Sequence, residues 1–379
     1  MVYLDYAATS PLLPSVKETM LAASEQYFAN AAALHTPGHL AANEVENARK
    51  KLADLINADP SEIIFTSGAT ESNNTVLHIF EHQNVAISEI EHHSVLNSAA
   101  AYAASVTPVR IDKNGKVCYN EKIEAVKPKL LSIGLVNNEL GLVQELDFWS
   151  KKAHEMGAYI HSDMTQALGK IPIDVKTLDV DYASFSAHKI GGPVGVGALY
   201  VKHGAPFKPL IFGGNQENKR RGGTTNTIGI IGFGAALDYI QENQTWQQYN
   251  EKIRPLRDKL ANKILNEIPG SSLNTSLDEN IVPNILNVSF EAAEGESIQL
   301  YLDAEGIIIS TGSACAAGDL KPSHVLMAKT GDAEVAHGSI RFSFGLNSTE
   351  KDIEEVMKVL PGIIDRLQQM STIKMKGTK

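Results

Sequence analysis

Lys189 stands in Ser184-Phe185-Ser186-Ala187-His188-Lys189-Ile190-Gly191-Gly192-Pro193, after a short apolar run (Val180, Tyr182, Phe185) that reads as a buried strand. A glycine-rich turn and a second apolar segment, Gly197-Ala198-Leu199-Tyr200-Val201, follow it. An amine held between strands beside a histidine loses solvation, drops in pKa and becomes a nucleophile toward a carbonyl. Most lysines are surface charges, so this residue needs a partner before the chemistry is credible. Asp163 supplies one. Ala158 to Gln166 reads as a strand ending in an acid, and ligands of open α/β sheets gather at the carboxyl ends of strands. A lysine for a cofactor aldehyde and an upstream acid for a pyridinium nitrogen are the pairing of pyridoxal phosphate chemistry. The plainer reading of Asp163 is a helix N-cap.

Such chemistry needs a phosphate site. Glu62-Ile63-Ile64-Phe65-Thr66-Ser67-Gly68-Ala69-Thr70-Glu71-Ser72-Asn73-Asn74 reads as a strand, a small-residue turn and a helix start. Free backbone N–H groups and the helix dipole make that turn an anion cradle, and the Thr70 hydroxyl adds a donor. An ordinary capped helix would look the same.

The elements that position these residues alternate. Apolar runs at Val85-Ala86-Ile87, Leu130 to Val136 and Ala158 to Ile160 are separated by helical patterns at Leu40 to Leu55 and Asp147 to Met156. This βαβ rhythm predicts an α/β fold with a mostly parallel sheet covered on both faces. A long helical pattern from Gly229 to Lys263 leads into a region of strands (Ile285 to Phe290, Ile307 to Ser310, Ile340 to Phe344) mixed with helices. Another helical stretch runs from Glu350 to Met370.

Composition narrows the classes. The chain has 379 residues, 43% of them hydrophobic, enough for a sizeable core and two or three domains. Its net charge of −10 opposes direct tracking of a nucleic-acid backbone. The first residues lack a signal-peptide pattern, and no apolar run approaches the roughly 20 residues of a membrane span. Two cysteines far apart suit a reducing cytoplasm better than a disulfide framework. Cys118 follows an Asn114-Gly115 turn and reads as a structural strand residue. Cys315, in Ser310-Thr311-Gly312-Ser313-Ala314-Cys315-Ala316-Ala317-Gly318-Asp319, has the small neighbours of an accessible loop, although most cysteines are core residues.

Taken in order, these segments resemble the cysteine desulfurases of the class V aminotransferase family, in the group I branch of nitrogen-fixation and housekeeping enzymes. The likeness begins at Tyr3-Leu4-Asp5-Tyr6-Ala7-Ala8-Thr9 and includes Glu91-His92-His93-Ser94-Val95 and Val136-Asn137-Asn138-Glu139-Leu140-Gly141. It continues through Asp163 to Gln166, Ser186 to Lys189, Arg221-Gly222-Gly223-Thr224 and Ser313-Ala314-Cys315, and ends near Ser339 to Ser343. It departs from the family at Asn30-Ala31-Ala32-Ala33-Leu34-His35 and at Phe344-Gly345-Leu346-Asn347, which bear on partner choice more than on chemistry.

The resemblance implies the type I fold of pyridoxal phosphate-dependent aminotransferases. Residues 16–250 would form a large cofactor-binding domain, and 1–15 with 251–379 a smaller α+β domain carrying a mobile catalytic-cysteine loop. Lys189 would carry pyridoxal 5'-phosphate, with Asp163 at its ring nitrogen. His92 would stack on the ring and move protons, including one on the substrate thiol. Asn138 and Gln166 would meet the ring hydroxyl. The Ala69 backbone, Thr70, Ser186 and His188 would hold the phosphate. Thr224 would reach the phosphate of a neighbouring subunit, making a homodimer. Arg341, on the polar side of a strand bearing Ile340, Phe342 and Phe344, would clamp the substrate carboxylate with help from Asn138. No metal is expected.

The implied activity removes sulfur from L-cysteine, giving L-alanine and a persulfide on Cys315, and passes the sulfur to a protein acceptor. That acceptor would be a tRNA-thiolation enzyme or an iron–sulfur scaffold. The first is expected to dominate, because Ser371 to Lys379 is short against the tail of the housekeeping branch. The alternatives are another pyridoxal phosphate enzyme of the family, such as a selenocysteine lyase or aminotransferase, and a non-catalytic binding protein. The last would have lost Lys189 or Asp163, and both are present.

Overall fold

Alternation within the apolar runs decides how the central strands are covered. In the computed structural model, which describes residues 1–278, 280–311 and 322–371, β1 is a short strand at Val2–Tyr3. The next seven are β2 (Ile63–Thr66), β3 (Asn84–Ser88), β4 (Ser105–Val109), β5 (Leu130–Ser132), β6 (Tyr159–Asp163), β7 (Tyr182–Ser186) and β8 (Gly197–Val201). Among the described residues they form one sheet in the order β2-β8-β7-β6-β5-β3-β4. Neighbours from β7 through β4 are parallel, and β8 runs against both β7 and β2. Every residue of β2, β5, β7 and β8 is buried. Ile63, Phe65, Ala86, Leu131 and Tyr200 face one apolar cluster, while Ile64, Val85, Ile87, Leu130 and Leu199 face another. Period-two side chains thus fill both faces, as a largely parallel sheet under helices requires.

The smaller sheets use the rest of the chain. The strands β9 (Ser271–Leu273), β10 (Ile285–Phe290), β11 (Ile307–Ile308), β12 (Ser310–Thr311) and β13 (Ser339–Ser343) follow. An antiparallel sheet has the order β12-β13-β10-β9, and β1 pairs in parallel with β11. Val2 and Leu4 share a core with Leu286, Val288, Phe290, Ile340 and Phe342, capped by Ile353, Val356 and Leu360 of the helix Glu350–Met370. After β1 the chain crosses at Asp5, bridged to Ser343, and runs to the carboxyl edge of the large sheet.

Three sequence expectations need correction. The helical pattern from Gly229 to Lys263 is broken: one helix covers Thr227–Asn243, Gln244 turns left-handed at φ 45°, and a second main helix covers Arg254–Glu267. The Thr245 hydroxyl donates to the Gly169 carbonyl at 2.6 Å and pins the break. The apolar run Leu130 to Val136 ends as a strand at Ser132, but Ile133 and Leu135 still donate to the carbonyls of His161 and Asp163. Cys118 lies just past an isolated bridge between Ile111 and Val117 and belongs to no strand.

Two glycines differ in what surrounds them. A Cβ on Gly197 would stand 2.5 Å from the Gly68 Cα and 2.5 Å from the Phe185 carbonyl oxygen, so β8 can approach the turn after β2 only without a side chain. Gly362, inside the final helix, has open space. Gly197→Ala should therefore lower stability by about 1–3 kcal/mol through overpacking. Gly362→Ala should raise it by about 0.5–1 kcal/mol through helix propensity. Thermal denaturation of both variants checks the pair.

Candidate active site

A cavity of about 650 Å³ opens at the carboxyl edge of the large sheet. The turn Ser67–Thr70 after β2, Glu91 and His92 after β3, Gly134 to Asn138 after β5, Asp163 ending β6, and Ser186 to Lys189 closing β7 all reach it. Asp5, Ala7, Ala8, Gln299, Ser310 and Arg341 close it from the side of the smaller sheets. Parallel strands end together, so residues far apart in sequence converge at that edge.

Lys189 follows β7 on a turn of 3-10 helix, and its Nζ donates to the carbonyls of Ala7 and Ala8 at 2.6 and 2.7 Å. Gln166 donates to the same Ala7 carbonyl at 2.9 Å. Asp163 has no cation within ion-pair distance among the described residues. Its Oδ1 accepts from the Thr165 N–H at 3.0 Å and its Oδ2 from the Asn73 amide at 2.8 Å. Glu91 lies behind it, buried, with Oε1 accepting from the Gly134 N–H at 2.7 Å. Burial, with Asp163 nearby, pushes the Glu91 carboxyl up to about 8, so it is neutral at pH 7.

The turn before the helix Ala69–Ile79 has the form of an anion cradle. Gly68 precedes it at φ 154°, and the Ser186 hydroxyl stands 3.8 Å from where a Gly68 Cβ would be. Ala69 and Thr70 open onto the same space. His188 meets the Thr9 hydroxyl at 3.1 Å. Burial and the charges of Lys189 and Lys170 hold His188 down at about 4, so it offers a hydrogen bond and no charge.

Arg341 is nearly buried on β13. It donates to the Asn138 carbonyl at 3.0 Å and to Asp5 at 2.9 Å, and its Nε has no partner. Asn137 accepts from the N–H groups of Glu139 and Leu140 and donates to the Ile90 carbonyl, which holds Asn138 against the arginine. Glu139 is buried, raised to about 7 by desolvation, and receives the Ser323 hydroxyl at 2.5 Å. His324, the first residue of the helix His324–Thr330, has its Nε2 at 3.0 Å from the Glu91 carbonyl.

The residues fit pyridoxal 5'-phosphate. An amine and an uncompensated carboxylate face one cavity, an anion cradle lies at one end, and Gln166 has a buried, unpartnered Oε1 able to accept from a bound group. Among the described residues no cluster suits a metal ion.

Ala69, Thr70, His92, Asn138, Asp163, Gln166, Ser186, His188, Lys189 and Arg341 are brought together as expected. Thr224 is not. It is exposed after Gly223, outside this cavity, on a loop that Arg221 ties to Glu71 at 2.9 Å. Cys315 lies outside the described residues. Asp5, Asn73, Ser94 and Glu91 also belong to the site and are not among the residues that the sequence pattern points to. Their signal was present in the stretches around Ala7, Thr70 and His92, but single residues there gave no reason to choose them.

Residues 2–356 match the family Aminotransferase class-V. The cysteine desulfurase IscS of Dictyoglomus turgidum is 41% identical, over 98% of this chain and 97% of its own length. That of Methanosarcina thermophila is 39% identical, over 98% and 94%. Among solved structures, the NifS-like protein of Rickettsia africae aligns with a TM-score of 0.88 at 32% identity, over 96% of this chain and 99% of its own. A structure described as SspA in complex with cysteine aligns with a TM-score of 0.78 at 33% identity, over 92% and 100%.

Lys170 stands near this site with a different cost. Its side chain is 1% exposed and its Nζ has no hydrogen-bond partner. Burial, aided by the Lys189 charge, lowers it to about 7. Its folded pKa lies below its unfolded one, so it destabilises the fold most below pH 7, and the cost fades as pH rises toward the ordinary lysine range. Lys170→Met should raise the melting temperature at pH 6, with the gain shrinking steadily by pH 10.

Proposed function

The chain belongs to the class V aminotransferase family, and from that membership and this cavity we infer that it is a pyridoxal 5'-phosphate-dependent cysteine desulfurase. The observation that carries the reading is the Lys189 amine and the Asp163 carboxylate, which has no ion-pair partner among the described residues, facing one cavity with an anion cradle. Relatives 37–41% identical over nearly the whole chain bear the same name.

When bound, the cofactor supplies an electron sink for the bond-breaking steps at the substrate Cα and beyond. The chain's own residues do the rest. Lys189 would hold it covalently and, once released, would move the Cα proton. Asp163 would keep a proton on the ring nitrogen, and the neutrality of Glu91 leaves that task to one carboxylate. Ser186, Thr70, His188 and the Ala69 N–H would hold the phosphate. Arg341 lines the cavity and spends one N–H on Asn138 and one on Asp5, so its remaining guanidinium N–H groups would meet a substrate carboxylate.

Cys315 is the nucleophile of this proposal. Its thiol attacks the sulfur of L-cysteine. A carbon–sulfur bond breaks, a sulfur–sulfur bond forms, the substrate carbon gains the hydrogen, and the products are L-alanine and a Cys315 persulfide. The acidity of the chain, at a net −10, favours a protein thiol over tRNA itself as receiver. A tRNA-thiolation protein is the acceptor we put ahead of an iron–sulfur scaffold. Thr224, exposed and away from its own cavity, suits delivery to a partner's phosphate and hence a homodimer.

Mass spectrometry after brief incubation with L-cysteine tests the reaction. One added sulfur on the peptide containing Cys315 is expected, with none on Cys118. Cys315→Ala should make no alanine while keeping its cofactor. Alanine formation that survives would favour a lyase that does not need this thiol. Arg341→Ala should raise KM for L-cysteine about tenfold or more, the value of one charge-assisted hydrogen bond.

A further inference from the structure

A chain of hydrogen bonds joins Asp163 to His92, and its direction can be read. The Ser94 backbone N–H, which can only donate, lies 3.1 Å from the His92 Nδ1. That nitrogen is therefore an acceptor and carries no proton. The Ser94 Oγ lies 2.8 Å from the same nitrogen, so its O–H donates there too. The Ser94 oxygen then accepts, and it receives the Asn73 amide at 2.8 Å. The same Asn73 nitrogen donates to Asp163 Oδ2 at 2.8 Å. Turning the amide over would set its oxygen against a carboxylate, so the orientation is fixed. Asn73 is fully buried, and both its N–H bonds are used.

We propose that Asn73 and Ser94 are positioning residues that lock His92 as the tautomer protonated on Nε2, so that His92 stands in the cavity as a hydrogen-bond donor and not as a base. The reading rests on the cavity being the cofactor and substrate site. A base at Nε2 would need the proton moved to Nδ1, where it would face the Ser94 N–H. Taking the substrate thiol proton, a task expected of His92 from the family resemblance, is therefore closed to this tautomer. Protonation of the ring meets the same obstacle at Nδ1.

The other charges around the ring are few. Burial lowers the His92 pKa, Asp163 opposes that, and Lys189 and His93 add to it. His324 packs its ring on His93 at 4.8 Å, and Glu91 lies beside Asp163. A change at Ser94 removes none of these groups, whereas Asn73→Leu also takes a donor from Asp163.

The test is 15N spectroscopy of the holoenzyme labelled in its histidine rings, with the His92 signals assigned by their loss in His92→Asn. Nδ1 should appear unprotonated and Nε2 protonated at pH 7.5. A protonated Nδ1 overturns the proposal. Ser94→Ala removes one donor to Nδ1 and should raise the His92 pKa by roughly 0.5–1 pH unit, the value of one neutral hydrogen bond. Asn73→Leu should move it the same way by less, and Ser94→Thr should restore the wild-type value. A His92 pKa unmoved in Ser94→Ala, with the melting temperature and cofactor content of wild type, also overturns it. Ring protonation is read independently of turnover, so an enzyme found to act on another amino acid would still test the relay.

Discussion

The ammonium of Lys189 is held by two backbone carbonyls, those of Ala7 and Ala8, and much of the molecule is arranged around that contact. Both carbonyls belong to a segment that starts in one sheet and ends over another. β1 pairs with β11, Tyr6 donates to the Ser343 carbonyl, the Ala7 N–H meets the Ser343 hydroxyl, and Gln166 holds Ala7 from the other side. Asp5 sits on the same path and takes the guanidinium of Arg341. One extended segment therefore sets the lysine and the arginine at once. Backbone carbonyls are good partners for this purpose because they hold an amine without adding a competing negative charge.

Electrostatics in the cavity follow from what stands beside the carboxylates. Asp163 accepts from N–H donors and has no ion-pair partner among the described residues, so its carboxyl remains available to a ligand. Glu91 has little besides one backbone N–H and gives up its charge. Glu139 is intermediate, relieved in part by Ser323 and Arg341. Burial is the main cause for both glutamates, and Glu139 is raised less because Ser323 and Arg341 stand beside it.

Much of this was legible in the sequence. Strand runs around Phe185 and Ile160 marked the large sheet, and the small residues from Ser67 to Thr70 marked the turn. Lys189 and Asp163 could be chosen because the strand pattern put each at a carboxyl end. Asp5 could not, since its role exists only once β1 reaches β11, near the other end of the sequence. Asn73 looked like any residue in the first turns of a helix, and its task depends on the distance between two elements. The break at Gln244 was hidden because a left-handed residue leaves no mark on apolar periodicity, while the hydroxyl that fixes it finds its acceptor at Gly169. Thr224 was placed by resemblance, and its exposed position outside the cavity depends on a chain path that periodicity does not encode.

The path of the first residues also sets an order of events. Val2 to Thr9 leave the ribosome long before Ile307 and Ser343, in the strands they must join, have been synthesised. Contacts spanning most of a chain form late, because loop closure costs entropy that only the finished partners repay. The large sheet can assemble first and expose its carboxyl edge, with the Lys189 amine not yet covered by Ala7 and Ala8. The last strands made are then what closes the wall over the lysine. Synthesis of β11 and β13, rather than collapse of the large sheet, becomes the step after which the site can take its final shape.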